Sequence, residues 1–190
     1  MNNDYGDGFV SNEIDWTALS RSLGLLDEQE ADGWGESGSS DAARAAILEL
    51  LGPETLQAAV DFYVSGQPGF ELARSVLWLL HPWPAMERCY EIFRSAQEPA
   101  DRQSAVELLR VVADRRVLNW VSEFLDDSDE TIQAWGIGIV DQLAWSRMIG
   151  AEEAQALVMR YQGHQNPEVR KTVSCVEKYL DKRAAVESND

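Results

Sequence analysis

Four carboxylates stand within five residues in the segment D-D-S-D-E, at Asp126, Asp127, Asp129 and Glu130. Acids clustered this way can hold a divalent cation, work as an acid–base pair, or attract a positively charged partner. The cation reading fails on spacing. Counted from Asp127, a calcium loop needs a ligand at its fifth position, glycine at its sixth and a bidentate carboxylate at its twelfth. Those positions are Thr131, Ile132 and Gly138. Transition metals fare no better, because His81 and His164 are the only histidines and neither belongs to an H-E or H-x-x-x-H pair.

A second cluster, His81-Pro82-Trp83-Pro84, precedes Cys89. A Cys–His nucleophile needs spatial contact and a third group to orient the base, and no such group is visible. A helix end accounts for the same residues more simply: a histidine suits the C-terminal dipole, and the prolines stop one helix and start the next. His164, in G-H-Q-N-P, occupies another such turn. Cys89 and Cys175 fall inside apolar helical patterns and are expected to be buried free thiols rather than a disulfide. No catalytic residue, cofactor or metal is expected, and the chain does not read as an enzyme.

Charge carries more information. The 190 residues hold 33 acids and 16 Lys or Arg, a net charge of −17. Nucleic acid and anionic lipid are repelled by such a surface, and a basic protein is steered toward it. Residues 1–41 contain ten acids and one base, Arg21, for a net −9; the remaining 149 residues net −8. No apolar run reaches the ~20 residues of a membrane span. The start, M-N-N-D-Y-G-D-G, has neither the basic nor the apolar region of a signal peptide. These features point to a cytoplasmic protein with no membrane partner.

The elements that position these residues are helices. Apolar residues recur with helical spacing almost continuously from Ser40. Breaks fall at Gly52-Pro53, Gly66-Gln67-Pro68-Gly69, His81-Pro82-Trp83-Pro84, Glu98-Pro99, 126–129, Gly150 and 163–167. Ten helices are predicted, near 14–26, 41–51, 54–65, 69–80, 84–96, 99–113, 115–125, 129–146, 151–162 and 167–183. One apolar stripe repeats. It runs through Val169, Val173, Val176 and Leu180 in the last helix, and through Ala105, Leu108 and Val112 in the helix at 99. Ile132, Gly136, Ile139 and Leu143 continue it, as do Leu72, Val76 and Leu79, and Ala43, Ile47 and Leu50. Aligned starts near 43, 72, 101, 132 and 169 give steps of 29, 29, 31 and 37 residues, a near-constant period that marks stacked helix pairs.

Within this frame the 126–130 cluster is a turn and a helix start. Asp127 or Asp129 is a good N-cap, and acids in the first turn complement the helix dipole. Capping explains one or two carboxylates and leaves two surplus, beside Trp135, as a docking spot for something positive. Trp78, Trp120, Trp135 and Trp145 sit in helical patterns and are expected in the core or between repeats. Trp34, in D-G-W-G-E with Glu36, has no helical period. It either plugs the first repeat or stands as an exposed anchor.

The copy N-P-E-V-R-K-T-V-S-C-V-E-K-Y-L at 166–180 resembles the second helix of a HEAT repeat, and D-S-D-E-T-I-Q-A-W-G and E-P-A-D-R-Q-S-A-V-E-L-L look like divergent copies. The family's Arg matches Arg44, Arg102 and Arg170, is replaced by Gln133, and is out of register at Arg74. The resemblance implies an all-α fold: an α-solenoid of about five antiparallel helix pairs over 41–183, with an acidic arm at 1–40 and a tail at 184–190. HEAT-like hydroxylases rely on His-Glu motifs and HEAT-like DNA glycosylases on a basic concave face; the chain has neither, and it shows no motif of the HEAT-like bilin lyases. The expectation is a protein-binding module for a basic partner, touching it through Asp126, Asp127, Asp129, Glu130, Trp135, Trp34 and Glu36. In size, charge and fold it also resembles the immunity proteins that neutralise basic toxin domains. A structural adaptor and an enzyme with an unrecognised site are the alternatives.

Overall fold

Helix-breaking chemistry falls where the sequence places it. The computed structural model describes residues 14–27, 35–36 and 39–187, which form an all-α fold apart from one two-residue β bridge. Residues 1–50 and 51–190 form two separate units.

In the first unit, α1 (Trp16–Ser22) is capped by Asp15, whose carboxylate accepts from the Ala18 N–H at 2.9 Å. It ends short of the predicted 26, because Gly24 turns left-handed (φ 66°) and the Leu25 N–H folds back to the Ser20 carbonyl. Leu26–Asp27 (β1) then pairs with Gly35–Glu36 (β2) as a two-residue antiparallel bridge, Leu26 opposite Glu36. Glu36 therefore sits on backbone held by pairing, and Trp34 lies outside the described residues. The helical run α2 (Ser40–Val64) is interrupted at Gly52 (φ 71°, ψ 161°), as Gly-Pro requires: the glycine takes a left-handed φ and its ψ is the extended one forced by Pro53.

The second unit continues with α3 (Phe70–Leu80), α4 (Trp83–Ser95), α5 (Pro99–Val112), a 3-10 turn over Arg115–Trp120, and α6 (Val121–Leu125). After them come α7 (Glu130–Trp145), α8 (Ala151–Met159) and α9 (Pro167–Glu187). Packing follows an alternating order. α3, α5, α7 and α9 touch in succession, while α4 lies on α5, α6 on α7, and α8 against α7 and α9. The core is the predicted stripe in three of these helices: Ala105, Leu108 and Val112; Ile132, Ile139 and Leu143; and Val169, Val173, Val176 and Leu180 are all buried.

Four expectations are corrected. On α3 the inward side chains are Leu77 and Leu80, and the predicted stripe of Leu72, Val76 and Leu79 faces outward, Leu72 being 71% exposed. F-E-L-A-R-S-V-L-W-L-L is apolar on both sides, so periodicity cannot choose the face. On the first half of α2, Ile47 and Leu50 are exposed too. Trp78 and Trp145 are exposed rather than core, at 52% and 66%, although Trp145 touches Tyr179 of α9, whereas Trp120 and Trp135 are half-buried. Cys175 is exposed; only Cys89 is buried.

Candidate partner-binding surface

The four carboxylates divide two and two. Asp129 caps α7: its Oδ1 accepts from the N–H groups of Thr131 (2.8 Å) and Ile132 (3.3 Å). Its Oδ2 accepts from Gln103 Nε2 of α5 at 2.7 Å. Asp127 Oδ1 accepts from the Asp129 N–H at 2.9 Å, and its Oδ2 takes Arg102 Nη2 in a short, sheltered ion pair. Arg102 Nε in turn donates to the Phe93 carbonyl at 3.0 Å. Both acids are thus spent on joining α5 to the turn before α7. Asp126 and Glu130 remain exposed, and among the described residues no cation lies within 4.0 Å of either carboxylate.

The turn is held from its other side as well. Gln133 Nε2 donates to the Asp127 carbonyl at 2.7 Å. Asn166 Nδ2 donates to Gln133 Oε1 (3.0 Å) and to the Glu130 carbonyl (2.8 Å), while its Oδ1 caps α9 by accepting the Glu168 N–H at 2.9 Å. Arg170 Nη1 donates to the carbonyls of His164 and Gln165 at 2.6 and 2.7 Å. His164 accepts the Asn166 N–H on Nδ1, so its Nε2–H is free to donate to the Leu125 carbonyl at 3.1 Å. Arg102, Gln133 and Arg170 hold one alignment position, and each donates to a carbonyl of the segment preceding its own helix. The Gln in place of Arg keeps that bond. The donors are visible in the sequence; their targets are not, because backbone carbonyls, that of Phe93 in the last turn of α4 among them, carry no sequence signal.

Burial acts to raise the Asp129 pKa, but the hydrogen bonds from Gln103, Thr131 and Ile132 outweigh it and hold the carboxyl below its usual value. A carboxylate with a depressed folded pKa contributes stability that is present above its unfolded pKa, about 3.9. That stability is lost as pH falls through the folded value. Asp129→Asn is therefore expected to shrink the stability difference between pH 6 and pH 3, read from urea midpoints at the two pH values; an unchanged difference would contradict this origin of the acid response.

The flanking residues are less available than the acids. Trp135 is half-buried beneath Arg110, whose guanidinium carbon lies 4.8 Å from the ring centroid, so it forms no exposed anchor beside Asp126. A cleft of about 570 Å³ opens next to Asp126 and contains Arg94, Arg102, Glu123 and Asp127. Glu123 is occupied by Tyr90 Oη (2.6 Å) and Arg94 Nη1 (2.9 Å). The cleft is close to neutral, and among the described residues Asp126 is its one unpaired charge.

His81 ends α3 in the left-handed region (φ 47°) with its Nδ1 3.0 Å from the Val112 carbonyl. Burial pushes the Cys89 thiol far up, away from the thiolate a nucleophile needs. Among the described residues no group of three or more His, Cys, Asp or Glu is placed to hold a metal, and no helix is long and apolar enough to cross a membrane. No protein-family model matches the chain, and no curated protein or solved structure is significantly similar to it.

Proposed function

We propose that this chain is a non-enzymatic protein-binding module of the cytoplasm, built as a short HEAT-like α-solenoid, which docks a basic protein on the edge carrying Asp126 and Glu130. One observation carries the reading: two uncompensated carboxylates stand on a turn that is hydrogen-bonded on both sides. Such an edge loses little conformational freedom on binding, and its charge gives a basic partner on-rate and orientation. The alternating packing order and the shared donor position at 102, 133 and 170 support the solenoid reading of the fold. An inhibitor of a basic toxin domain is the narrowest form of this proposal and rests on size and charge.

The test is recovery of a partner on the tagged full chain at low salt and at ~0.5 M salt, where exposed charge contacts are screened. The wild type is expected to retain a basic protein that high salt releases. Asp126→Lys/Glu130→Lys is expected to weaken that complex by roughly tenfold or more, and Glu152→Lys, an exposed acid on α8, to leave it nearly unchanged. Equal loss in both variants would mean that only the overall charge matters and would overturn the assigned edge.

A further inference from the structure

A group of positive charges lies at the opposite end of α7 from that edge, where α7 meets α9. The end of α7 and one face of α9 enclose a cleft of about 600 Å³, a volume within the range of small-molecule sites. Trp145 and Tyr179 form its apolar wall, with ring centroids 5.0 Å apart and planes at 43°. Arg147, Lys178, Lys182 and Arg183 surround it, and among the described residues no acid lines it. They are four of the chain's 16 Lys and Arg.

The arrangement follows from two stripes on one helix. Val169, Val173, Val176 and Leu180 face the core. Cys175, Tyr179, Lys182 and Val186 follow at the same spacing on a second face and line the cleft. Elsewhere among the described residues, eight cations lie within 4.0 Å of a carboxylate. Among the described residues Arg147, Lys178 and Lys182 have no such partner, a state shared outside the cleft by Arg110, Arg160 and Arg170, although acids outnumber bases two to one.

Arg147 adds an independent observation. It terminates α7 in the left-handed region (φ 59°), where the Arg147 N–H reaches the Ala144 carbonyl and the Met148 N–H reaches the Leu143 carbonyl. Glycine or asparagine is the usual occupant of that position. An arginine there sets its guanidinium at the cleft against the backbone preference, as backbone strain at binding sites commonly does.

We propose that this cleft binds a small organic anion with a flat aromatic body, such as an aryl carboxylate or aryl phosphate. The rings of Trp145 and Tyr179 and the Val186 side chain take the body, and the unpaired cations take the anionic group. The cleft is separate from the acidic edge, and the two proposals stand or fall independently.

Titration of the full chain with anilinonaphthalene sulfonate, and with the uncharged phenylnaphthylamine of the same ring system, tests it. The sulfonate is expected to bind saturably at one site and to protect Cys175 from maleimide, Cys89 being buried and silent. Lys178→Glu/Lys182→Glu is expected to weaken the sulfonate by roughly tenfold or more while leaving the neutral probe unchanged. Lys178→Gln/Lys182→Gln gives the same reading with less change of charge, and Trp145→Ala is expected to weaken both probes. Trp78→Ala, at another exposed tryptophan, is expected to weaken neither. Equal affinity of the two probes for the wild type, or sulfonate binding that survives both lysine pairs, overturns the proposal. So does sedimentation showing the cleft filled by a second copy, as a dimer that Trp145→Ala dissociates.

Discussion

Phe124→Ala is expected to remove about 3–5 kcal/mol of stability, the range for truncating a buried aromatic. Phe124 is fully buried on α6, with its ring edge-on to Phe93 at 4.7 Å and to Tyr90 at 6.3 Å. Across from it the α7 backbone comes so close that a Cβ on Gly136 would lie 2.6 Å from Phe124 Cβ. Glycine at 136 is therefore the residue that lets the two helices meet. The walls of the hole left by the mutation are aromatic rings and helix backbone, which relax poorly, so the cost belongs toward the upper part of the range. In a unit of this size it corresponds to a fall in Tm on the order of 10 °C. Leu72→Ala is the comparison. Leu72 points outward, and its truncation should change the unfolding free energy from urea titration by no more than ~0.5 kcal/mol. A Phe124→Ala loss below ~1 kcal/mol would contradict the packing of α6 on α7.

The contrast between Phe124 and Leu72 also marks how far the residues speak before the fold is known. Helical class and most boundaries are legible because the breakers are local: Gly52-Pro53, Gly69 and Asn166-Pro167 act on their own backbone. The choice of buried face is legible only where one side of a helix is polar. α9 presents Glu168, Arg170 and Lys171 against its valines and reads correctly. α3 presents leucines on both sides, and its inward face depends on neighbours that periodicity cannot name. The acidic cluster behaves the same way. Asp129 before E-T-I-Q is legible as a cap, since capping is decided within three residues. That Asp127 is consumed and Asp126 is free depends on Arg102, 25 residues upstream. Four adjacent carboxylates give no hint of that division.

Asn166→Ala is expected to cost about 2–4 kcal/mol, combining a lost helix cap with unsatisfied buried groups. Asn166 is the buried polar residue among the described ones, at 5% exposure. Its truncation leaves the Glu130 carbonyl, Gln133 Oε1 and the Glu168 N–H without the partners they have in the native structure. Asn166→Asp separates the two contributions. Aspartate caps a helix as well as asparagine does, so a purely capping role predicts a neutral change. A linking role predicts a loss as large as that of alanine, because both donors vanish and a carboxylate faces two oxygen acceptors. The sign of its pH dependence follows. Burial and those acceptors raise the folded pKa of the new carboxyl, so the penalty is absent below its unfolded pKa, about 3.9. It grows as pH rises through the folded value. Urea midpoints at pH 7 and pH 4 read both effects, and wild-type stability of Asn166→Asp at pH 7 would reduce Asn166 to a cap. Asn166 also holds the Glu130 backbone. Removing it should loosen the edge that carries Asp126 and Glu130, adding an ordering cost to partner binding with both acids still present.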